Sequence, residues 1–370
     1  ITLAAQAGLF VIGMTSTVVL ARLLTPAEHG LFEMVLPLIG FMTLFKDLGL
    51  SHATIQRKDI THEQITNLFW INIAVSFVLM AATAACAPLV AAFYGEPRLT
   101  AVTQVIAAGF LFGGITVQQS ALLRRTMRFH VIAAIDVSAA IFGLAAGIVT
   151  AYMGLSYWAL VIRMLSIMIL TEIAVWIASG WRPGWFRRGV GSFSMLVFGA
   201  HITMSNLLNY ASMHSASLLI GRYCGASPLA FYGKARMLLL QPVQQINMPL
   251  STVVIASLSR LHDQPSRYRD FYLRLTGKIA LVSMPLVAFL MATADWVVEI
   301  TLGGQWLHAA PIFFNLGAAA LVIPIMNTSG WLLISQGRTR LIFRWGFADA
   351  ALTVASIAAG LPWGASGVAA

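Results

Sequence analysis

Charge is what this 370-residue chain has least of. Asp, Glu, Lys and Arg together make up 10% of it, against about 25% in an ordinary soluble domain. With 59% hydrophobic residues and a mean hydropathy of +0.82, no soluble core could hide the remainder. Acidic groups are the scarcest, 13 against 23 basic ones, for a formal net charge of +10. A nucleic-acid binder of that charge would gather Lys and Arg on one solvated face. Here they sit in short clusters between apolar runs, which excludes nucleic acid as a partner. The two cysteines, Cys86 and Cys224, fit no metal-ligand spacing; both fall near the same expected membrane face, which leaves a disulfide open, and burial in a bilayer suits free thiols equally well. Catalytic signatures are missing too. There is no Gly-rich phosphate loop, no His-Glu-x-x-His and no paired-carboxylate cleft, and the eight histidines are scattered through loops and helix ends. The longest loops, near 51–64, 180–194 and 259–271, are too short for a catalytic domain. Neither an enzyme nor a cofactor is expected.

Long apolar runs are what the chain has in quantity. At about 20 apolar residues per bilayer crossing, spans are expected near 2–21, 29–48, 65–92, 101–122, 131–152 and 157–178. A second set is expected near 196–219, 229–257, 272–301, 310–335 and 341–360, with a twelfth beginning near 363. Several contain proline, among them Pro37, Pro88, Pro242, Pro249, Pro285 and Pro324. In a bundle, neighbouring helices re-satisfy the backbone groups that proline frees. The chain opens at Ile1 inside an apolar run and stops at Ala370 as another begins, so it is expected to be a piece of a longer protein, truncated at its C-terminus. The first run is too long, and lacks the basic start, of a cleavable signal.

Basic residues divide unevenly between alternate loops. After even-numbered spans come Lys46, Arg57 and Lys58, then Arg124, Arg125 and Arg128, then Arg182, Arg187 and Arg188. The later even loops hold Arg260, Arg267, Arg269 and Arg274, then Arg338, Arg340 and Arg344. Odd loops hold only Arg22, Arg98 and Arg222. Sixteen against three is the positive-inside pattern, and it places the start of helix 1 and every even loop in the cytoplasm.

The chain also repeats itself. Residues 20–59 run from the end of one apolar helix through a turn closed by Arg22 into a helix led by Leu31 and Phe32. About 200 residues later the same grammar returns with Arg222, Phe231 and Tyr232. Six spans per copy is an even number, so both copies enter the membrane in the same direction. The expected fold is an all-α polytopic membrane protein of two six-helix lobes, related as parallel repeats with a cavity between them. Residues 1–180 form the N-terminal lobe, 181–195 a cytoplasmic linker, and 196–370 a C-terminal lobe with its last helix incomplete.

Ionisable side chains in hydrocarbon are costly unless paired or wet, so each one within a span is a candidate site residue. The basic candidates are Lys234 and Arg236 in helix 8, Arg163 in helix 6, Lys278 in helix 9 and Lys46 near the inner end of helix 2. The acidic ones are Glu33, Asp136, Glu172, Asp295, Glu299 and Asp349. Lys46 and Lys278 could instead snorkel to the interface, and Arg22 and Arg222 could anchor outer helix ends. Asp136 and Asp349 fall on equivalent helices 5 and 11, where a carboxylate can bind a coupling Na+ or H+ or pair with a local arginine. Asn206, Asn209, Tyr210, Gln241, Gln244, Gln245 and Asn247 recur three or four residues apart. That spacing lines one helix face, suited to gluing helices together or to a sugar-lined cavity.

The stretches LARLLTPAEHGLF, IQRKDIT, AAFYGEP (91–97), ALLRRTMRF (121–129), LLIGRYCG, LSRLHDQP and GGQWLHAAP (303–311) resemble the polysaccharide-transporter family of lipid-linked oligosaccharide flippases. The likeness is to the colanic-acid or exopolysaccharide exporter type and covers nearly the whole chain. It implies the multidrug/oligosaccharidyl-lipid/polysaccharide superfamily fold, a V of two six-helix lobes like that of MATE transporters. It also implies the cargo, an undecaprenyl-diphosphate-linked repeat unit flipped across the bacterial inner membrane, with a polymerase and export machinery as further partners. In the related lipid II flippases, cations on helices 1, 2 and 8 line the cavity. Arg236 occupies a comparable helix 8 position, Lys46 is a looser match, and Arg22 matches only a helix-end arginine.

The physics fits that cargo. A diphosphate carries charge that hydrocarbon rejects, and its sugars carry many hydroxyls, so crossing needs a wet, cationic cavity. Lys234, Arg236, Lys46, Arg22, Arg222, Asn209, Gln244 and Asn247 are the substrate-site candidates, and Asp136 and Asp349 the cation-coupling ones. Two alternatives remain. A cation-coupled multidrug exporter of the same superfamily would carry more acidic and aromatic cavity residues than basic ones. A membrane-embedded polymerase or ligase would need a large external loop, and the odd loops are all short.

Overall fold

The computed structural model describes residues 2–47, 49–56, 60–187, 210, 213–261 and 263–370. Every regular element among the described residues is helical. They are α1 (Thr2–Leu23), α2 (Pro26–Asp47), α3 (Leu50–Gln56), α4 (His62–Tyr94), α5 (Arg98–Arg125), α6 (Phe129–Tyr152), α7 (Trp158–Ser179) and α8 (213–224). The chain continues with α9 (Ala226–Arg260), α10 (Pro265–Ala292), α11 (Ala294–Leu302), α12 (Ala309–Ser335), α13 (Thr339–Gly360) and α14 (Gly364–Ala369). Among the described residues nine helices are long and apolar enough to cross a bilayer, and the chain is a multi-pass membrane protein. Phe77, Leu89, Phe142 and Ile177 stand more than half exposed, because lipid is their solvent.

Local chemistry sets the helix ends. Thr61 caps α4 in a reciprocal box with Gln64, and Gly95 ends the helix in the left-handed conformation at φ 71°. The 33 residues of α4 span about 50 Å, longer than the roughly 30 Å hydrocarbon layer. Its start, His62, Glu63 and Gln64, therefore projects beyond the apolar zone. For the same reason the loops are shorter than hydropathy implies. The expected loop at 51–64 contains α3, and that at 259–271 shrinks because α9 reaches Arg260 and α10 starts at Pro265, a residue suited to a first helical turn. The expected single span at 272–301 is two helices. It breaks at Thr293 (φ −110°, ψ 21°), whose hydroxyl donates to the Phe289 carbonyl at 2.7 Å.

The chain forms two compact units, Ile1–His214 and Ser215–Ala370. The linker expected at 181–195 lies partly outside the described residues, which reach 187. In the first unit α5 is central, packing on α2, α3, α4 and α7, while α1 packs on α6. In the second unit α12 is central, against α9, α10, α11, α13 and α14. In each expected six-span set, the fourth span takes the middle place, and the pairings of second with fourth, third with fourth and fourth with sixth recur.

Small residues set the closest helix approaches, as association in lipid requires. A Cβ at Gly114 would lie 2.2 Å from Ser76 Oγ, so α5 touches α4 there. On α6, Gly143 and Gly147 bring α7 in against Ile167 and the Arg163 stem.

Residues 181–187 strap across the start of α4. The Asn67 amide donates to the Arg187 carbonyl (2.6 Å) and accepts from its N–H (3.0 Å). The Trp70 indole donates to the Gly184 carbonyl at 2.9 Å, the Trp181 indole donates to His62 Nδ1 at 3.1 Å, and Arg187 pairs with Glu63. Asn67→Ala leaves both backbone groups of Arg187 without these partners, at a cost of about 1–3 kcal/mol. Hydrogen exchange at the Arg187 amide is expected to accelerate by roughly tenfold or more, and an unchanged rate would contradict this role.

Candidate functional site

A membrane helix rich in polar groups must have something to do with them. Alone among the described helices of more than 20 residues, α9 falls short of the hydropathy of a plain span, because Gln241, Gln244, Gln245 and Asn247 interrupt it. It follows Gly225, whose φ of 90° and ψ of −174° let the chain turn directly out of α8. Tyr232 and Ala235 are buried and fix the register of the helix, while Lys234 and Arg236 are half-buried. Gln244 is exposed two turns further on. The side chain of Asn247, that of Lys46 at the end of α2, and all of Asn209 lie outside the described residues. No Asp or Glu occurs in the 35 residues of α9, so the helix presents cations alone.

The other predicted residues belong to other helices. Arg22 is exposed in the last turn of α1. Arg222 is exposed at the end of α8, its guanidinium 5.8 Å from the Tyr223 ring centroid. Asp136 is half-buried two turns into α6 and feels the charge of Arg124 at the end of α5. Asp349 is exposed on α13. Among the described residues no three His, Cys, Asp or Glu side chains gather as metal ligands would.

Hydropathy did not reveal a chamber of about 370 Å³ within the first unit. Thr43 of α2, Ser51 of α3, Thr116, Ser120 and Arg124 of α5, and Thr171 and Glu172 of α7 line it. The α5 contribution was legible, since Thr116, Ser120 and Arg124 recur every four residues and share a face. Ser51 is positioned by α3, which α5 holds in two ways. The Thr54 hydroxyl donates to Gln118 Oε1 at 2.7 Å, and Arg125 donates to the Thr54 carbonyl at 2.7 Å. Hydroxyls with one guanidinium and one carboxylate can exchange hydrogen bonds with a hydroxylated ligand.

A third polar feature lies within α2. The Tyr210 hydroxyl donates to the Pro37 carbonyl at 2.9 Å, and its ring stacks on His214 with centroids 4.1 Å apart. Gly40 makes the room, because a Cβ there would sit 2.0 Å from the hydroxyl. Gly40→Ala is expected to cost about 1–3 kcal/mol by overpacking. A double-mutant cycle with Tyr210→Ala, read by thermal unfolding, should recover most of that loss. Strict additivity would contradict the contact.

Over residues 19–311 the chain matches the family described as polysaccharide biosynthesis protein. It is similar to the teichuronic acid biosynthesis protein TuaB of Bacillus subtilis, 27% identical over 90% of this chain and 70% of the relative. It is also similar to the lipopolysaccharide biosynthesis protein WzxC of Escherichia coli, at 23% over 94% and 71%. The succinoglycan biosynthesis transport protein ExoT of Rhizobium meliloti is 22% identical over 96% and 72%. Among solved structures, an inward-facing multidrug resistance MATE family transporter of the MOP superfamily superposes with a TM-score of 0.72 at 14% identity. That superposition covers 97% of this chain and 89% of the other, and gives the fold.

Proposed function

Because the chain belongs to the polysaccharide biosynthesis protein family and has a MATE transporter fold, we propose that it flips undecaprenyl-diphosphate-linked oligosaccharide repeat units across the bacterial inner membrane. It is a membrane transporter, not an enzyme. The observation that carries the reading of the cargo is α9, a polar helix whose half-buried charges, Lys234 and Arg236, are both positive. Cations held partly out of water select an anionic group, and the diphosphate is the anionic part of this cargo. Gln241 and Gln244 follow on the same helix and offer amides to sugar hydroxyls. The isoprenoid tail stays in the bilayer, where it needs no shelter.

The start of α1 lies in the cytoplasm in this reading, as the basic loops require. The cargo loads there and leaves on the periplasmic side by alternating access, where a polymerase and export machinery receive it. Asp136 and Asp349 are the groups at which Na+ or H+ would couple to transport. A multidrug exporter of the same fold would favour cationic cargo, and the absence of carboxylates along α9 counts against it. Deleting the gene is expected to stop surface polysaccharide and accumulate lipid-linked repeat units on the cytoplasmic face. Unchanged polysaccharide with altered drug tolerance would overturn the assignment.

A further inference from the structure

Helix α10 has two faces that ask for different neighbours. One packs on α12, where the Tyr268 hydroxyl meets Ser335 Oγ at 2.6 Å and the Tyr272 hydroxyl meets Thr328 Oγ1 at 3.1 Å. Ile279, Ser283 and Val287 continue that face and are buried. The opposite face is uncovered along its whole length and changes character partway. From Ile279 to Ala292 the helix has no charged residue, and Leu281, Val282 and Phe289 are 74%, 55% and 63% exposed, as lipid-facing side chains are. Below them, Lys278, Arg274 and Arg267 continue the same stripe at spacings of four and seven.

Those three cations, with Asp270, Leu261, Phe271 and Leu275, line an open cavity of about 440 Å³. Arg267 also donates to Gln264 Oε1 at 2.8 Å. Among the described residues, no carboxylate forms an ion pair with Arg274 or Lys278. The site is net positive, opens toward the lipid-facing side of the helix, and joins an apolar track without interruption.

We propose that this face of α10 binds an anionic phospholipid, its phosphate between Arg274 and Lys278 and an acyl chain along Leu281, Val282 and Phe289. Charge complementarity selects an acidic head over a zwitterionic one, as it does in basic pockets at the ends of membrane helices. Among the described residues the lining holds three cations against one carboxylate and no hydroxyl or amide side chain, so it grips a phosphate more strongly than it grips a sugar. Lys278 and Arg274 stand one turn apart, close enough to share one phosphate. The inference is independent of what the transporter carries.

Native mass spectrometry of the purified full chain tests this, with phosphatidylglycerol, phosphatidylethanolamine and undecaprenyl diphosphate offered separately. Phosphatidylglycerol should stay bound under activation that strips phosphatidylethanolamine. Retention should fall at least about tenfold in Arg274→Gln/Lys278→Gln, from the loss of two phosphate-facing cations, and survive in the charge-preserving Arg274→Lys/Lys278→Arg. Both positions are exposed, so the fold should tolerate either pair. Equal retention of phosphatidylglycerol by wild type and the Gln pair overturns the site, as does equal retention of the two phospholipids. Retention of undecaprenyl diphosphate alone overturns its assignment to a phospholipid.

Discussion

Arg236→Glu is expected to abolish export while the protein still reaches the membrane at normal levels. Two unit charges about 4 Å apart interact by about 4 kcal/mol at an effective dielectric of roughly 20, and reversal turns that attraction into repulsion of the same size. Export should therefore fall at least about a hundredfold, since each 1.4 kcal/mol is about a factor of ten. Arg236→Lys keeps the charge but loses the planar fork that grips phosphate oxygens in pairs, and an intermediate loss is expected. Surface polysaccharide, measured in a deletion strain at matched protein levels, reads the effect. Normal export by the Glu variant would remove α9 from the site.

The second large effect concerns the seam between α6 and α7. A Cβ at Gly143 would lie 2.2 Å from Ile167 Cγ1 and 3.1 Å from the Arg163 carbonyl, and one at Gly147 would lie 3.0 Å from Arg163 Cβ. Backbone cannot move aside as a side-chain tip can, so Gly143→Leu must separate the helices. The expected cost is at least about 3 kcal/mol, the upper end of ordinary overpacking, seen as a lowered unfolding midpoint in detergent. Gly13 of α1 has open space where its Cβ would be, and Gly13→Ala should leave the midpoint nearly unchanged. Equal effects at the two positions would mean that α6 and α7 do not pack as described.

The long spans were legible in the sequence because hydrocarbon imposes a length and a composition that no loop imitates. Helix ends were not, since α4 and α9 continue past their apolar parts into polar ground where hydropathy has no signal. Nor was the break at Thr293, which sits in an apolar run and shows only in the backbone. Lys234 and Arg236 stood out as charges within a span, and so did Glu172 and Arg163. Glu172 shares the chamber with Thr43 and Ser51, which come from two other helices, and nothing along one helix announces them. Arg163 raised a functional question in the sequence that packing answers in part, since its stem fills the space beside Gly147. The strap joins Asn67 to Arg187 across 120 positions, and no local pattern foretells such a pairing.

Translocation in proteoliposomes tests the central claim most directly. A lipid-linked repeat unit placed in one leaflet, with its sugar read by an enzyme or lectin confined to the opposite side, should cross at a rate set by the protein. It should cross far more slowly with Arg236→Glu. Crossing no faster than in protein-free vesicles, or equally fast with wild type and variant, would contradict the account.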